Sequence, residues 1–412
     1  MQTTTMRRLM AGAAFMLLPF CASAADLEVT HWWTSGGEAA AAQQLARIFE
    51  EQTDHHWVDG AIAGSGATAR PIMVSRIIGG DPMGATQFNH GRQAQELVEA
   101  GLMQDLTEVA ERDGWRESIM PVSLLDACTF EDKVYCAPVN IHSPQWMWIS
   151  PAAFEAAGLE PATNWEELKA AAPKLREAGK LPLAVGLQGW QTGLLLYTLV
   201  AGIGGPEFYV QAFDAGDEDT LRGEKMAQIF TELAAAREMS AGGNISEWNM
   251  GTARIIEGQA AAQVMGDWAQ GEFALAGKVA GTDYECHIGL GGAPVIATGG
   301  DAIYFPVNRD PAVTEAQMAL AAVIMSDEAQ IAFNAAKGSL PVRGNIDLAE
   351  VNECTRKGLE TLKAGNTIPA IDLIISPDAR GQIEDLTAEF FGSDLSPEDA
   401  QERLAEIILA DK

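Results

Sequence analysis

Basic residues are scarce in this 412-residue chain: 27 Lys+Arg stand against 57 Asp+Glu, for a net charge of −30. No basic cluster is longer than the pair Arg7-Arg8, so the chain offers no patch that could release phosphate counterions, and nucleic acid is not expected as a partner. Long apolar runs are also lacking, because no segment reaches the roughly 18 residues a membrane-spanning helix needs. The five cysteines include no C-x-x-C, and the six histidines form no pair at i, i+4 spacing, so no zinc-type ligand pattern is present and no metal is expected. G-x-x-x-x-G-K-[ST], H-E-x-x-H, G-x-S-x-G and S-x-x-K are all missing. These absences remove the common signatures of nucleotide, metallopeptidase and serine-hydrolase chemistry, and no cofactor is expected. Carboxylates are abundant, so a glycosidase pair stays open as the enzyme alternative.

What is present is ordinary globular composition, 47% apolar and 20% charged, in a length suited to two or three domains. The first 24 residues carry Arg7-Arg8, an apolar run from Leu9 to Phe20 and the small-residue pattern Ala22-Ser23-Ala24. They read as a cleaved secretory signal peptide and place the mature chain in the periplasm. Bulky Phe20 before Cys21 speaks against a lipid anchor. Losing this leader removes two arginines and no acid, which moves the net charge from −30 to −32. Such acidity reads as a solvated, self-repelling surface.

Four cysteines remain, Cys128, Cys136, Cys286 and Cys354, an even number that suits an oxidising compartment and two disulfides. Of the three possible pairings, Cys128 with Cys136 is favoured, because TFEDKVY between them reads as a tight hairpin; Cys286 would then pair with Cys354.

Along the chain, strand and helix signals alternate. LEVTHW is apolar with period two, and after TSGG the stretch EAAAAQQLARIFEEQ puts Leu45, Ile48 and Phe49 on one helical face. Similar units follow at GSG-TARPIMVSRIIGG and ATQF-QAQELVEAG. A second series starts after VYCAPVNIH. This alternation predicts an α/β fold with mostly parallel sheets flanked by helices.

Tryptophan is the informative residue, with 10 copies against 5 Tyr. Flat indoles can cover the C–H face of a pyranose while carboxylates, amides and ammonium groups take its hydroxyls. Trp32 and Trp33 end the first strand just before a helix, where α/β proteins bind ligands. As adjacent strand residues they point to opposite sides, unless the loop has already turned. Trp190, Trp248 and Trp268 are further candidates, whereas Trp57, Trp115 and Trp165 read as packing residues. Glu38, Asp267, Asp301 and Lys337 can be read as hydroxyl partners. Glu38 is equally a first-turn carboxylate, and Lys337 a last-turn cation capped by Gly338.

HWWTSGGE, GLQGWQ, MGDWAQGEF, GGDAIYFPVN and AAKGSLPVR, in that order, resemble the motifs of the periplasmic carbohydrate-binding proteins of ABC transporters. The likeness is to the maltose-binding-like group and within it to the glucose/mannose-type binders, and it runs over the mature chain. The resemblance implies two α/β lobes, 25–136 with 296–337 and 137–295 with 338–412, joined by strands crossing at VYCAPVNIH, IGLGGAPVIATGG and KGSLPVRGN. It implies a sugar bound between the lobes and buried by hinge closure, with Trp32 and Trp33 as a stacking pair. Glu38, Trp248, Trp268, Asp301 and Lys337 correspond to sugar contacts, and Asn89 falls near a polar contact of the first lobe. Trp190 and Asp267 are added on chemistry alone. Glucose binders of the family tend to carry a histidine where this chain reads PAIDLIIS, so Asp372 is the nearest polar candidate and the sugar recognised is expected to differ. The expected protein is therefore a monomeric, non-catalytic receptor that hands a mono- or small oligosaccharide, a hexose for preference, to an inner-membrane permease and its ATPase. The alternatives are a secreted glycosidase using two of Asp267, Asp301 and Glu38, and a receptor for a polyol or other non-sugar solute.

Overall fold

Hydrophobic periodicity, caps and turns produce the expected units in the computed structural model, which describes residues 24–292, 294–344 and 351–412. The expected leader, 1–24, lies outside these residues except for its last position. The strand Asp26–His31 buries Leu27 and Val29 and leads into the helix Gly36–Gln52. That helix starts where the Ser35 hydroxyl accepts from the Glu38 N–H, and it buries Ala41, Leu45, Ile48 and Phe49, one stripe at helical spacing. The strand His56–Ala61 and helix Ser65–Gly79 follow, then the fully buried strand Ala85–Asn89.

Two main sheets result. In the first, the spatial order is 56–61, 26–31, 85–89, 301–304, 136–138. The first three strands are parallel, and the strand Asp301–Tyr304 runs antiparallel to both of its neighbours. In the second, Glu285–Ile288 and Trp146–Ile149 join Ala260–Val264 and Leu181–Ala184, and only the last pairing is parallel. The sheets are thus mixed rather than mostly parallel. Strands returning from the other half of the chain enter from the opposite end, which a local β-loop-α pattern cannot signal.

The crossing segments tie the two sheets together. VYCAPVNIH runs from the strand Cys136–Pro138 of the first sheet towards Trp146–Ile149 of the second. Its Ile141 exchanges backbone hydrogen bonds with Leu340 of the third crossing segment, at 2.7 and 2.9 Å. Asn345, the last residue of that segment, lies outside the described residues. The middle crossing contributes the strand Ile296–Thr298, which pairs in parallel with Thr367–Pro369 in a ladder separate from both main sheets. The C-terminal helices Pro377–Gly392 and Pro397–Asp411 pack onto the second sheet's helices Gly189–Leu199 and Glu224–Ser240.

Both expected disulfides are present, Cys128–Cys136 and Cys286–Cys354. The first flanks a hairpin whose strands, Thr129–Phe130 and Lys133–Val134, are joined through Glu131 and Asp132, both at positive φ. Loop-closure entropy grows with the span enclosed, 8 residues in one case and 68 in the other. Replacing Cys286 and Cys354 by Ala should therefore cost more stability than replacing Cys128 and Cys136, about 4 against about 2.5 kcal/mol. Urea unfolding of the two double variants checks the order.

Candidate functional site

A cavity of about 350 Å³ opens between the sheets, and the loops leaving several strand ends line it. Trp32 and Glu38 come from the first strand and the helix after it, Asn89 and His90 from the end of the third strand, and His142 from the first crossing. Trp190, Trp248 and Trp268 approach from the second sheet's side, and Asp301, Lys337, Asp372 and Arg380 complete the walls named here.

The wall is organised around one buried ion pair. Lys337 Nζ donates to Asp301 Oδ2 at 2.6 Å, with the side chains 2% and 0% exposed. Asp301 also accepts from Gln87 Nε2 at 2.6 Å, Asn140 Nδ2 at 2.9 Å and Trp33 Nε1 at 3.3 Å. Burial opposes the charge on Asp301, but the Lys337 ammonium, nearby His142 and the Asn140 donor hold its carboxyl well below the usual carboxylate range. Lys337 is held charged by Asp301 against its own burial. Glu38 lies 3.7 Å from Lys337 and accepts from the Ser35 hydroxyl; burial nonetheless pushes its carboxyl up. Lys337 is the last residue of its helix, and the chain turns away through Gly338 at φ 89°. A Cβ at Gly338 would stand 2.6 to 2.9 Å from Gln270 Cβ, the Gly271 nitrogen and the Asp267 carbonyl, so the turn that delivers the ammonium requires glycine.

Trp32 and Trp33 separate. Trp32 lines the cavity, its N–H held by Gln87 Oε1 at 2.9 Å. Trp33 does not line it. It is 1% exposed, stacked on His31 with centroids 5.2 Å apart, edge-on to Phe333, and beneath the Lys337 ammonium. The expectation of a stacking pair is corrected here: the strand ends at His31, and of the two indoles beyond it only Trp32 faces the cavity while Trp33 packs into the core. Asp267 is the second correction. It is buried away from the cavity, accepts from the Ser143 N–H at 2.9 Å, and burial pushes its carboxyl well up. It anchors the loop that presents Trp268 rather than facing a ligand.

The remaining candidates do come together. Trp268 packs near His142 and Trp190, with centroids 5.2 and 6.4 Å away. Trp190 Nε1 donates to Gln188 Oε1 at 2.7 Å. Asn89 and Asp372 both line the cavity, but Asn89 Nδ2 donates to Asp372 at 2.9 Å, and Gln93 and Arg380 occupy the other carboxylate oxygen. Asp372 is thus a strut between segments as much as a ligand group. Trp115 and Trp165 are packing residues as expected, and Trp57 is partly buried against the core. Among the described residues no group of side chains could hold a metal ion, and no helix is long and apolar enough to cross a membrane.

A family model described as bacterial extracellular solute-binding protein matches residues 33–331. The chain belongs to the bacterial extracellular solute-binding proteins. A relative named a probable sugar-binding periplasmic protein, from Rhizobium meliloti strain 1021, is 37% identical over 86% of this solute-binding protein and 85% of its own length. The two-lobed fold is shared with a chitin oligosaccharide binding protein (TM-score 0.77, 19% identity, 94% of this chain and 99% of that one). A maltose-bound T. maritima protein, MalE3, shares it too (TM-score 0.72, 16% identity, 94% and 100%). The family binds solutes and is not enzymatic, and the geometry agrees. Asp301 has its oxygens occupied by Lys337, Gln87, Asn140 and Trp33, so it is not free to act as the acid or base of a glycosidase pair.

Sequence reading missed His90, His142, Arg70 and Arg380 in this solute-binding protein. The histidines had a usable signal: His90 directly follows a strand and His142 ends the first crossing segment, where α/β proteins place ligand groups. They were weighed only as metal ligands. The arginines sit inside helices and carry no local signal.

Two outcomes follow for stability. Trp33→Ala should cost about 3–5 kcal/mol through the cavity it leaves, measurable as a lowered urea midpoint. His90 has neither ring nitrogen hydrogen-bonded among the described residues, and burial, helped by nearby His142, pushes its pKa down to about 3. The unfolded chain therefore takes up this proton first, near pH 6.5, and stability falls as pH drops below that value. By pH 5 His90 alone should remove about 2 kcal/mol. His90→Gln should lose less stability than the unaltered protein between pH 7 and pH 5; equal losses would show that His90 does not carry this term.

Proposed function

We propose that this protein is the periplasmic sugar receptor of an ABC importer, binding a mono- or small oligosaccharide in the cavity between its sheets. The single observation that carries the reading is the composition of that cavity. Four indoles, Trp32, Trp190, Trp248 and Trp268, share its walls with the Lys337 ammonium, Glu38, His90 and His142. Indole faces match the C–H faces of a pyranose, and the polar groups match its hydroxyl rim. The volume lies at the lower end of ligand pockets, which suits a mono- or disaccharide. The name of the R. meliloti relative supports the same class.

Within that class a hexose such as glucose or mannose is favoured, read by a first lobe of 25–136 with 296–337 and a second of 137–295 with 338–412. Asp372 stands where glucose binders tend to have a histidine, and as a carboxylate it accepts from Asn89, Gln93 and Arg380, so it brings that wall no donor and occupies theirs. The leader in residues 1–24 directs export and is cleaved, the mature receptor is monomeric, and closure on the sugar creates the surface presented to the permease and its ATPase.

A thermal-shift screen of the mature protein against hexoses, pentoses, disaccharides and polyols, followed by tryptophan fluorescence, tests this reading. A ligand that binds only the folded state raises the melting temperature. A shift with one or a few sugars is expected. A response to polyols alone would replace the sugar by another solute class. With the sugar in hand, Trp32→Ala should weaken binding roughly tenfold or more in calorimetric titration, while Trp165→Ala should leave affinity unchanged.

A further inference from the structure

The charged groups around the cavity form two clusters. In one, Lys337 is paired with Asp301, and Glu38 lies beside them. In the other, Arg380 is held by Asp372 and by Glu384, the latter at 2.8 Å. Arg70 belongs to the second cluster by proximity, since Arg380, Asp372 and Glu384 are the charges it feels. Its bonding differs from that of Arg380. Among the described residues no group accepts a hydrogen bond from Arg70, although its side chain is part-buried and lines both the main cavity and an adjoining one of about 80 Å³. The guanidinium carbon stands 5.7 Å over the Trp32 ring. Room for it is made one turn earlier in the same helix: a Cβ at Gly66 would lie 2.5 Å from Arg70 Nη1 and 3.2 Å from the Trp32 ring.

A guanidinium offers five N–H donors in one plane, shaped to grip two acceptors at once. The Arg70 donors open into the cavity with no protein acceptor among the described residues, so this unanswered fork beside Trp32 points to an acceptor pair supplied by the ligand in place of water. We infer that Arg70 is a specificity-determining residue of the sugar site, donating its fork to two neighbouring hydroxyl oxygens of a neutral ring packed against Trp32. The inference rests on the sugar reading above and deepens it.

Charge decides for hydroxyls over a carboxylate. The second cluster already balances Arg70 and Arg380 against Asp372 and Glu384. The cavity wall as a whole carries Glu38, Glu247, Asp301 and Asp372 against Arg70, Lys337 and Arg380, in a chain of net charge −30. An anionic ligand would add charge of the sign already in excess, whereas hydroxyls satisfy the donors without adding any.

Calorimetric titration of the mature protein, Arg70→Lys and Arg70→Met provides the test. The ligands are the neutral sugar giving the largest thermal shift, its monodeoxy analogues and its uronate. Arg70→Met should weaken binding of the parent sugar roughly 10- to 100-fold, and Arg70→Lys should restore only part, because an ammonium has no fork. Two of the deoxy analogues should each lose less affinity on Arg70→Met than the parent sugar does, because each lacks one of the gripped hydroxyls, which identifies the pair read. Undiminished affinity in Arg70→Met, an equal loss for every deoxy analogue, or a uronate preferred by the unaltered protein and not by Arg70→Met would each overturn the assignment. If no sugar binds the unaltered protein, the sugar reading fails with it; if sugar binds and Arg70→Met is indifferent, only this inference fails.

Discussion

The Lys337–Asp301 ion pair is the interaction on which the site depends. Its ammonium closes the helix Asp327–Lys337, and its carboxylate opens the strand Asp301–Tyr304. The other groups on Asp301 come from three further segments: Trp33 from the end of the first strand, Gln87 from the third strand, and Asn140 from the first crossing. Five distant pieces of chain are thereby drawn to one point. Removing either charge would leave its partner buried and uncompensated, a loss of about 3–5 kcal/mol, and would also loosen the strand ends that carry Trp32 and Asn89.

The pair also explains why neighbouring residues with similar chemistry have different roles. Gln87 bridges Asp301 and the Trp32 backbone, so the cavity-facing indole is held by the same network that buries Trp33. Asp267 and Asp301 are both buried carboxylates, but only Asp301 has an ammonium beside it. Burial therefore pushes the Asp267 carboxyl well up, whereas the Lys337 ammonium holds that of Asp301 well below the usual carboxylate range.

Several elements were legible locally. Leu45, Ile48 and Phe49 announced the first helix, and TFEDKVY a hairpin that sets Cys128 against Cys136. The cavity tryptophans 32, 190, 248 and 268 were legible from their places at strand ends and helix starts. Sheet polarity was not. Asp301–Tyr304 is antiparallel to Ala85–Asn89 across more than 200 residues of intervening chain, and no local pattern encodes the direction of return. Trp33 and Asp267 misled for a related reason: their residue types suit a sugar site, and burial alone decides that they face the core.

By itself the sequence determined the α/β class, the two disulfides, the indole-rich ligand chemistry and the acidic surface, since each follows from residue type, spacing or count. Only the tertiary structure decided which of two adjacent tryptophans meets the cavity, that Asp372 braces Asn89 and Arg380, that His90 and His142 belong to the wall, and that Arg70 is left without an acceptor among the described residues. Those outcomes depend on which side chains meet across long stretches of chain, and on how much water each retains when they do.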